Sequence, residues 1–326
     1  MTTLVTGGIG WVPSHLVKRL AESGERVVVV DLMPPDPLFH DLLGDLRDRV
    51  VVEPGDITDL AALGEAAGRH EVTDIVSAAA ITPRRDRERR EPARIVDVNL
   101  GGTVNALEVA RSLPGFHRFL SVSSGAALGD VTGVSTTDES TPSQATGLYG
   151  ITKHTAERVV SRYADLFNLD AVSVRLANVY GPMERETPGY AGATELREIL
   201  RIWAAGDTVR ITSLDGPHLD WTYVDDIAEG LVRILAADTL PHDLYTLTCA
   251  RLYSIGDILE CFARHLPDFR YELAEPDRAN YHVSGDPPGP TPSNARLAAD
   301  LAWTPETTLD DGMRQYLAWI QRHGPQ

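Results

Sequence analysis

Cysteine is almost missing from this 326-residue chain: Cys249 and Cys261 are the only two. They stand twelve positions apart, with no Cys-x-x-Cys and no histidine at ligand spacing. Neither a zinc site nor a disulfide framework is therefore expected, and no metal is. Positive charge is also in short supply. Thirty Lys and Arg face 47 Asp and Glu, a net charge of −17. That balance speaks against nucleic acid, whose phosphates need a basic surface, and gives no support to an anionic membrane as partner. No apolar run has the length that spans a bilayer. The first residues run straight into a strand-like pattern, without the basic and apolar segments of a secretory leader. The expectation is a soluble, cytoplasmic protein whose partner is a small molecule. Hydrophobic residues make up 43% and charged residues 24%, enough at this length for one large core with a smaller appendage.

Strand-like and helix-like patterns alternate through the first half. Strands are predicted at 3–6, 26–31, 50–53, 74–79, 118–123 and 171–177, and helices at 14–22, 60–68, 95–113 and 149–168. Several strands are near-continuous Val and Ile, as expected where helices cover both faces of a sheet. The alternation predicts an α/β fold, a Rossmann-type doubly wound parallel sheet. After Tyr180 the pattern loosens. Pro182, Pro188, Gly189 and Gly192 mark a long loop, helices are predicted at 194–205, 224–237, 255–266 and 309–323, and 276–292 reads as a surface loop. Residues 1–180 are assigned to the Rossmann domain. Residues 181–326 form a smaller α/β substrate lobe, with some segments returning to the sheet. In such folds ligands bind outside the carboxyl edge of the strands.

Thr6-Gly7-Gly8-Ile9-Gly10-Trp11-Val12-Pro13 follows the first strand and opens a helix. Gly7 permits a tight turn, Gly10 admits a pyrophosphate, and the helix N-terminus supplies N–H donors and partial positive charge. Pro13 departs from the small residue common at that place, but in a first turn its missing N–H costs nothing. Asp31 ends the second strand, where a carboxylate accepts from both hydroxyls of an adenosine ribose and repels a 2′-phosphate; this favours NAD over NADP. A plainer role for Asp31 is a strand-end cap. Asp56 in Gly55-Asp56-Ile57 can accept from an adenine amino group, or Asp56 or Thr58 can cap a helix, and both can hold at once. Small side chains at Ala78, Ala79 and Ala80 leave room for a flat dinucleotide, or simply pack tightly.

Tyr149 and Lys153 are one helical turn apart and share a face. An ammonium close to a phenol stabilises the phenolate, and a tyrosine so placed can take a proton from a secondary alcohol or give one to a ketone. Ser121-Val122-Ser123-Ser124 ends the fifth strand. A hydroxyl there, Ser124 in particular, can hold the reacting oxygen near the tyrosine; turn chemistry is the plainer reading, and suits Ser123 better.

This ordered set resembles the extended short-chain dehydrogenase/reductase family, also called the NAD-dependent epimerase/dehydratase family. The resemblance rests on the glycine turn, Asp31, Asp56-Ile57, Ala78-Ala79, Val98-Asn99, Ser123-Ser124, Tyr149 with Lys153, Arg175, Asn178-Val179-Tyr180-Gly181-Pro182 and Trp221-Thr222-Tyr223-Val224-Asp225-Asp226. It implies an NAD-dependent enzyme with Tyr149 as acid/base, Lys153 as its tuner and holder of the nicotinamide ribose, and Ser124 as orienter. It implies further cofactor contacts from Ile9, Trp11, Val12, Leu32, Ile57, Asn99, Val122, Leu176 and Val179, with Asn99 also matching the family's structural asparagine near the active lysine. Thr82, Arg84 and Asn178 would face substrate beside Ser124. A homodimer through the helices at 95–113 and 149–168 is implied as well.

Departures from the family pattern narrow the reaction. Gly125-Ala126 stands where family dehydratases carry an acidic pair, so elimination of water is not expected. Leu219 stands where nucleotide-sugar epimerases carry a diphosphate-gripping arginine, His218 is a poor replacement, and Leu128 stands where a tyrosine is common. The expectation is hydride transfer from a secondary alcohol of a sugar-like or hydroxy-acid substrate to NAD. The alternative is a sugar or nucleotide-sugar epimerase with tightly bound NAD, and a third reading is a non-catalytic dinucleotide sensor. In Thr82–Arg90, five arginines sit among acids; most read as a solvated segment, with Arg84 and Arg85 set apart as candidates for an anionic substrate. Asp225 and Asp226 read as helix caps, and Trp203, Trp303 and Trp319 as core.

Overall fold

The four consecutive valines of Arg26–Asp31 decide how the sheet is covered. In a strand, alternate side chains point to opposite faces. Val27 and Val29 enter one buried cluster with Leu16, Val17 and Leu20, while Val28 and Val30 enter another with Leu4, Ala106 and Leu107. A strand apolar on both faces must sit between two helical layers. The computed structural model, which describes residues 1–190, 192–286 and 288–325, has this arrangement. Seven parallel strands lie in the order Leu244–Leu247, Ala171–Leu176, Arg118–Ser124, Asp74–Ser77, Thr2–Thr6, Arg26–Asp31, Val50–Pro54. The chain reverses direction across the sheet between Thr2–Thr6 and Asp74–Ser77, so a crevice opens above the carboxyl ends of those two strands.

Most predicted elements lie within a residue or two of their observed bounds. Helices occupy Leu60–Arg69, Leu148–Phe167, Glu195–Ala204, Val224–Ala236, Ile255–His265 and Leu309–His323. The first helix begins at Trp11 rather than Ser14, because Gly10 takes the N-cap position with no side-chain cap. Pro13 is thus in the first turn, as expected. The close approach of helix to sheet is made by Gly8, where a Cβ would meet the Val29 side chain at 2.8 Å. The long helix expected over 95–113 is divided: Pro92–Val96, a wide π turn at Asp97–Gly101, then Gly102–Ser112. Among the elements that escaped the sequence pattern are the helices Pro37–Leu43, opened by Asp36 and proline, and Ala295–Leu301, and the seventh strand Leu244–Leu247. Of the loop expected over 276–292, Pro287 lies outside the described residues.

The lobe beyond the sheet has its own small three-stranded sheet. Asn178–Tyr180 runs parallel to Trp221–Tyr223, and Leu219–Asp220 pairs antiparallel with Leu252–Tyr253. Trp303 and Trp319 are buried and Trp203 is partly so. Asp225 and Asp226 do not cap the helix they begin, whose N-cap is Tyr223. Asp225 pairs with His15 at 2.7 Å, and Asp226 accepts from the backbone N–H and hydroxyl of Thr307. Among the described residues no helix is long and apolar enough to cross a membrane.

Candidate active site

A cavity of about 790 Å³ runs along the carboxyl edge of the sheet, from Asp31 at one end to Trp221 at the other. The turn at its centre is dictated by glycine. Gly7 has φ +69°, and a Cβ there would meet the Ala79 backbone at 2.8 Å; only glycine accepts both conditions. Thr6 secures the facing wall, its hydroxyl accepting from the N–H groups of Ala78 and Ala79. The first N–H groups of helix Trp11–Glu22 have no intrahelical acceptor and no side-chain cap, which leaves an anion cradle of the kind a pyrophosphate fills.

Gly7, Gly10, Trp11, Val12, Asp31 and Leu32 line this end of the cavity, and Asp56, Ile57, Ala78, Ala79 and Ala80 continue it. Ile9 does not reach it. Its side chain is fully buried, and its N–H donates to Asp31 Oδ2 at 3.0 Å. Asp31 also accepts from the Met33 N–H at 2.9 Å. Burial pushes the Asp31 carboxyl above the ordinary carboxylate range, against the lowering effect of these N–H bonds. Asp56 spends one oxygen on the N–H and hydroxyl of Thr58 and the other on Arg94 at 2.6 Å. Neither Asp56 nor Thr58 caps the following helix; Asp59 does, accepting from Ala62.

The chemical end is assembled from three elements. Arg118–Ser124 delivers Ser124, Leu148–Phe167 delivers Tyr149 and Lys153, and Asn178–Tyr180 delivers Asn178; all four residues line the cavity, as do Val122, Leu176 and Val179. Lys153 is 6% exposed in a chain with only one other lysine, Lys18. Its Nζ donates to the Val122 carbonyl at 2.7 Å and lies 5.8 Å from the centre of the Tyr149 ring. A compact ammonium with three donors can make that anchor and still face a ribose hydroxyl. Ser124 Oγ accepts from the Ala126 N–H at 3.2 Å. Among the described residues, neither its hydroxyl hydrogen nor the Tyr149 hydroxyl has a hydrogen-bond partner, so both are left to the cavity. Ser123 does not serve the turn. It donates to buried Glu157 at 2.6 Å, and Glu157 holds Arg175 through both oxygens at 2.9 and 2.7 Å. This buried set ties the catalytic helix to the floor of the site.

Besides Ile9, two expected contacts fall outside the cavity. Asn99 is 1% exposed; its amide accepts from the Ile81 N–H at 2.7 Å and donates to the Ile81 carbonyl at 3.0 Å and to Thr152 Oγ1 at 3.2 Å. The π turn aims it at the catalytic helix, so it braces the site without touching cofactor space. Arg84 is exposed and faces Glu198 at 3.4 Å. Arg85 is exposed too, because the segment coils into a short helix, Arg85–Arg90. That helix turns Arg87 toward the cavity instead, tied to the Pro188 carbonyl and to Glu91. On the same helix Glu88 accepts from the Leu148 N–H, capping a catalytic helix whose own N-cap is Gly147. Thr82 lines the cavity and its N–H donates to the Gly189 carbonyl at 2.7 Å.

The sequence reading missed the roof. Residues 182–190 form a strap across the glycine turn. Trp11 Nε1 donates to the Pro182 carbonyl at 2.8 Å, and Arg185 donates to the Ile9 carbonyl at 2.8 Å while pairing with Asp36 at 3.0 Å. Tyr190, Glu195, Leu219 and Trp221 also line the cavity. Burial and the nearby Glu184 carboxylate push the Tyr190 phenol far up, so it serves as a donor and not as a base. Only the proline and glycine of the strap marked it in sequence; no local pattern says which way such a loop folds.

A doubly wound sheet with an open glycine cradle at its switch point and a Ser–Tyr–Lys set beside it defines a dinucleotide-dependent enzyme that moves hydrogen at an alcohol carbon. The chain belongs to the NAD dependent epimerase/dehydratase family, whose model matches residues 3–247. It is 27% identical to the UDP-glucose 4-epimerase of Mycolicibacterium smegmatis, over 98% of this chain and 99% of that one. Its fold is shared with the UDP-glucose 4-epimerase of Bifidobacterium longum solved with NAD+ and UDP (TM-score 0.82, 21% identity, 99% of both chains). It is shared also with the UDP-glucuronic acid 4-epimerase of Bacillus cereus solved with UDP-glucuronic acid and NAD (TM-score 0.81, 22% identity, 99% of both chains). The protein is an NAD-dependent enzyme, and its cofactor is NAD.

Proposed function

We propose that this enzyme oxidises a secondary alcohol of a sugar-like substrate and reduces the ketone again from its other face, so that the net reaction is an epimerisation. The observation that carries the reading is the convergence of Tyr149, Ser124 and Lys153 at one end of a cavity whose other end is the glycine cradle. Bound NAD supplies the acceptor for the hydrogen that leaves carbon with its electron pair. The chain's own residues handle the proton. Ser124 donates to the reacting oxygen and orients it, Tyr149 as phenolate takes the hydroxyl proton, and the Lys153 ammonium stabilises that phenolate. Reversal of the same proton transfer completes the second half. The strap supports a retained cofactor, since Trp11 and Arg185 close it over the pyrophosphate cradle, and the names of the relatives agree with this outcome.

A second reading is net dehydrogenation of a smaller polyhydroxy or hydroxy-acid substrate. Leu219 favours it: it lines the cavity where a diphosphate-gripping arginine would be needed. One experiment separates the two. The purified protein is incubated with NAD and a panel of sugars, sugar acids and nucleotide sugars, with absorbance reporting NADH and chromatography reporting stereoisomers. Isomers without net NADH support epimerisation, NADH without isomers supports dehydrogenation, and neither product from any substrate class overturns both.

Asp31 supports NAD over NADP as the cofactor used. The same reading includes a homodimer through the helices Gly102–Ser112 and Leu148–Phe167. Exposed Val96, Ile151, Leu166 and Phe167 on and beside them support it, being apolar side chains that a partner would cover.

A further inference from the structure

The cavity holds one carboxylate that pairs with none of the described residues. Glu195 opens the helix Glu195–Ala204, lines the cavity beside Thr194, and makes no hydrogen bond or ion pair among the described residues. Every other acid facing the cavity is engaged: Asp31 by Ile9 and Met33, Asp56 by Thr58 and Arg94, Glu91 by Arg87. Burial, and after it the like charge of Glu198, raises its carboxyl above the ordinary range. The first turn of a helix favours an acid, and a carboxylate that takes no donor from the described residues is left to accept from a ligand in the cavity.

The surroundings say what kind of donor. Trp221 and Tyr190 line the same cavity, the Tyr190 ring centre 6.1 Å from that of Trp11. Aromatic side chains in a cavity suit the apolar side of a pyranose ring or an ammonium. The basic groups that an anion needs are withheld. Leu219 offers none, Arg84 is turned out to Glu198, and Arg87 is committed to the Pro188 carbonyl and Glu91. A diphosphate laid beside Glu195 would face a like charge, while the two arginines among the described lining residues, Arg87 and Arg94, are already paired with Glu91 and Asp56.

Resting on the proposed alcohol oxidation, we infer that Glu195 is a specificity residue. It accepts hydrogen bonds from hydroxyl or ammonium groups of a sugar and disfavours substrates carrying a nucleoside diphosphate or a carboxylate at that end. The substrate class is a neutral or amino sugar.

The test titrates the NAD-loaded protein with UDP as the probe, by calorimetry. The wild type is expected to bind UDP only at millimolar concentration. Glu195→Gln is expected to tighten UDP by roughly fivefold, as removal of one like charge a few ångströms away should. Glu195→Asp, which keeps the charge, is expected to leave UDP as weak as before and controls for folding. Micromolar UDP binding by the wild type overturns the inference, as does a Glu195→Gln variant that binds UDP no better. A second readout is the ratio of kcat/KM for an amino sugar to that for the matching uronate. Glu195→Gln is expected to lower that ratio at least about tenfold, and an unchanged ratio overturns the inference. Failure of every substrate to react, with the UDP result as expected, would fall on the reaction assigned above and leave the role of Glu195 standing.

Discussion

Arg185 donates to the carbonyl oxygen of Ile9 at 2.8 Å, joining residues 176 positions apart across the glycine turn. Arg185 is itself buried and anchored to Asp36, so the strap is held closed by a charged group with few alternatives. Arg185→Ala should speed NAD release roughly tenfold, the effect of losing about one charged hydrogen bond. Stopped-flow displacement of bound NAD measures it, and an unchanged release rate would mean that the strap does not retain the cofactor.

Tyr149→Phe keeps the ring and removes the oxygen. NAD affinity should be unchanged while turnover falls by about 10²–10⁴, the span of one acid/base group. Turnover equal to that of the wild type in a steady-state assay would remove Tyr149 from the chemistry.

Asp31→Ala should weaken NAD and narrow the preference over NADP, since the carboxylate that accepts from the ribose and repels a 2′-phosphate is gone. The pH dependence has a sign. Burial raises the Asp31 carboxyl, so in the wild type NAD affinity falls as pH drops through that raised pKa and the acceptor becomes a neutral acid. In Asp31→Ala this loss should be absent, and fluorescence titration of NAD across the acid range compares the two.

Asp225 is pulled the other way. Burial raises its carboxyl, but His15 at 2.7 Å, followed by the charges of Arg19 and Lys18, outweighs burial and leaves it lowered. A folded-state pKa below the unfolded one gives stability that is present above the unfolded value and is lost as pH falls through the folded value. Asp225→Asn should therefore cost about 2 kcal/mol near neutrality, the worth of one charged hydrogen bond. The difference from wild type should shrink in acid, which urea unfolding at several pH values resolves.

Glu157→Gln should cost about 3–5 kcal/mol, because it leaves the Arg175 guanidinium, 3% exposed, without its counter-charge. Ser123→Ala removes one bond from the same set and should cost nearer 1 kcal/mol. Equal unfolding midpoints for the two variants would contradict this ranking.

Much of the scaffold was legible because its signals are local. Val27 to Val30 announce a strand covered on both faces, Gly7 announces a turn that needs positive φ, and the Tyr149–Lys153 spacing puts two groups on one helix face without knowledge of anything else. Legibility failed where a residue's role is set by a distant partner. Asn99 read both as a cofactor contact and as a structural asparagine near Lys153, and only its place in the π turn, bonded to Ile81 and Thr152, favours the second. Arg84 and Arg85 read as candidates for an anionic substrate at the start of a helix, but the helix Arg85–Arg90 leaves both exposed and turns Arg87 inward. Ser123 read as a turn residue because buried Glu157, its acceptor, is 34 positions away.

The sequence by itself determined the order of the strands along the chain, the glycine turn and the placing of Tyr149 and Lys153 on one helix face, since each depends on periodicity or on spacing within one element. Only the tertiary structure decided which loop crosses the glycine turn, which arginine turns toward the cavity, and that Glu195 lines that cavity with no partner among the described residues. Those outcomes depend on how the lobe packs against the carboxyl edge of the sheet, and contacts between segments more than a hundred residues apart leave no periodic trace in the chain.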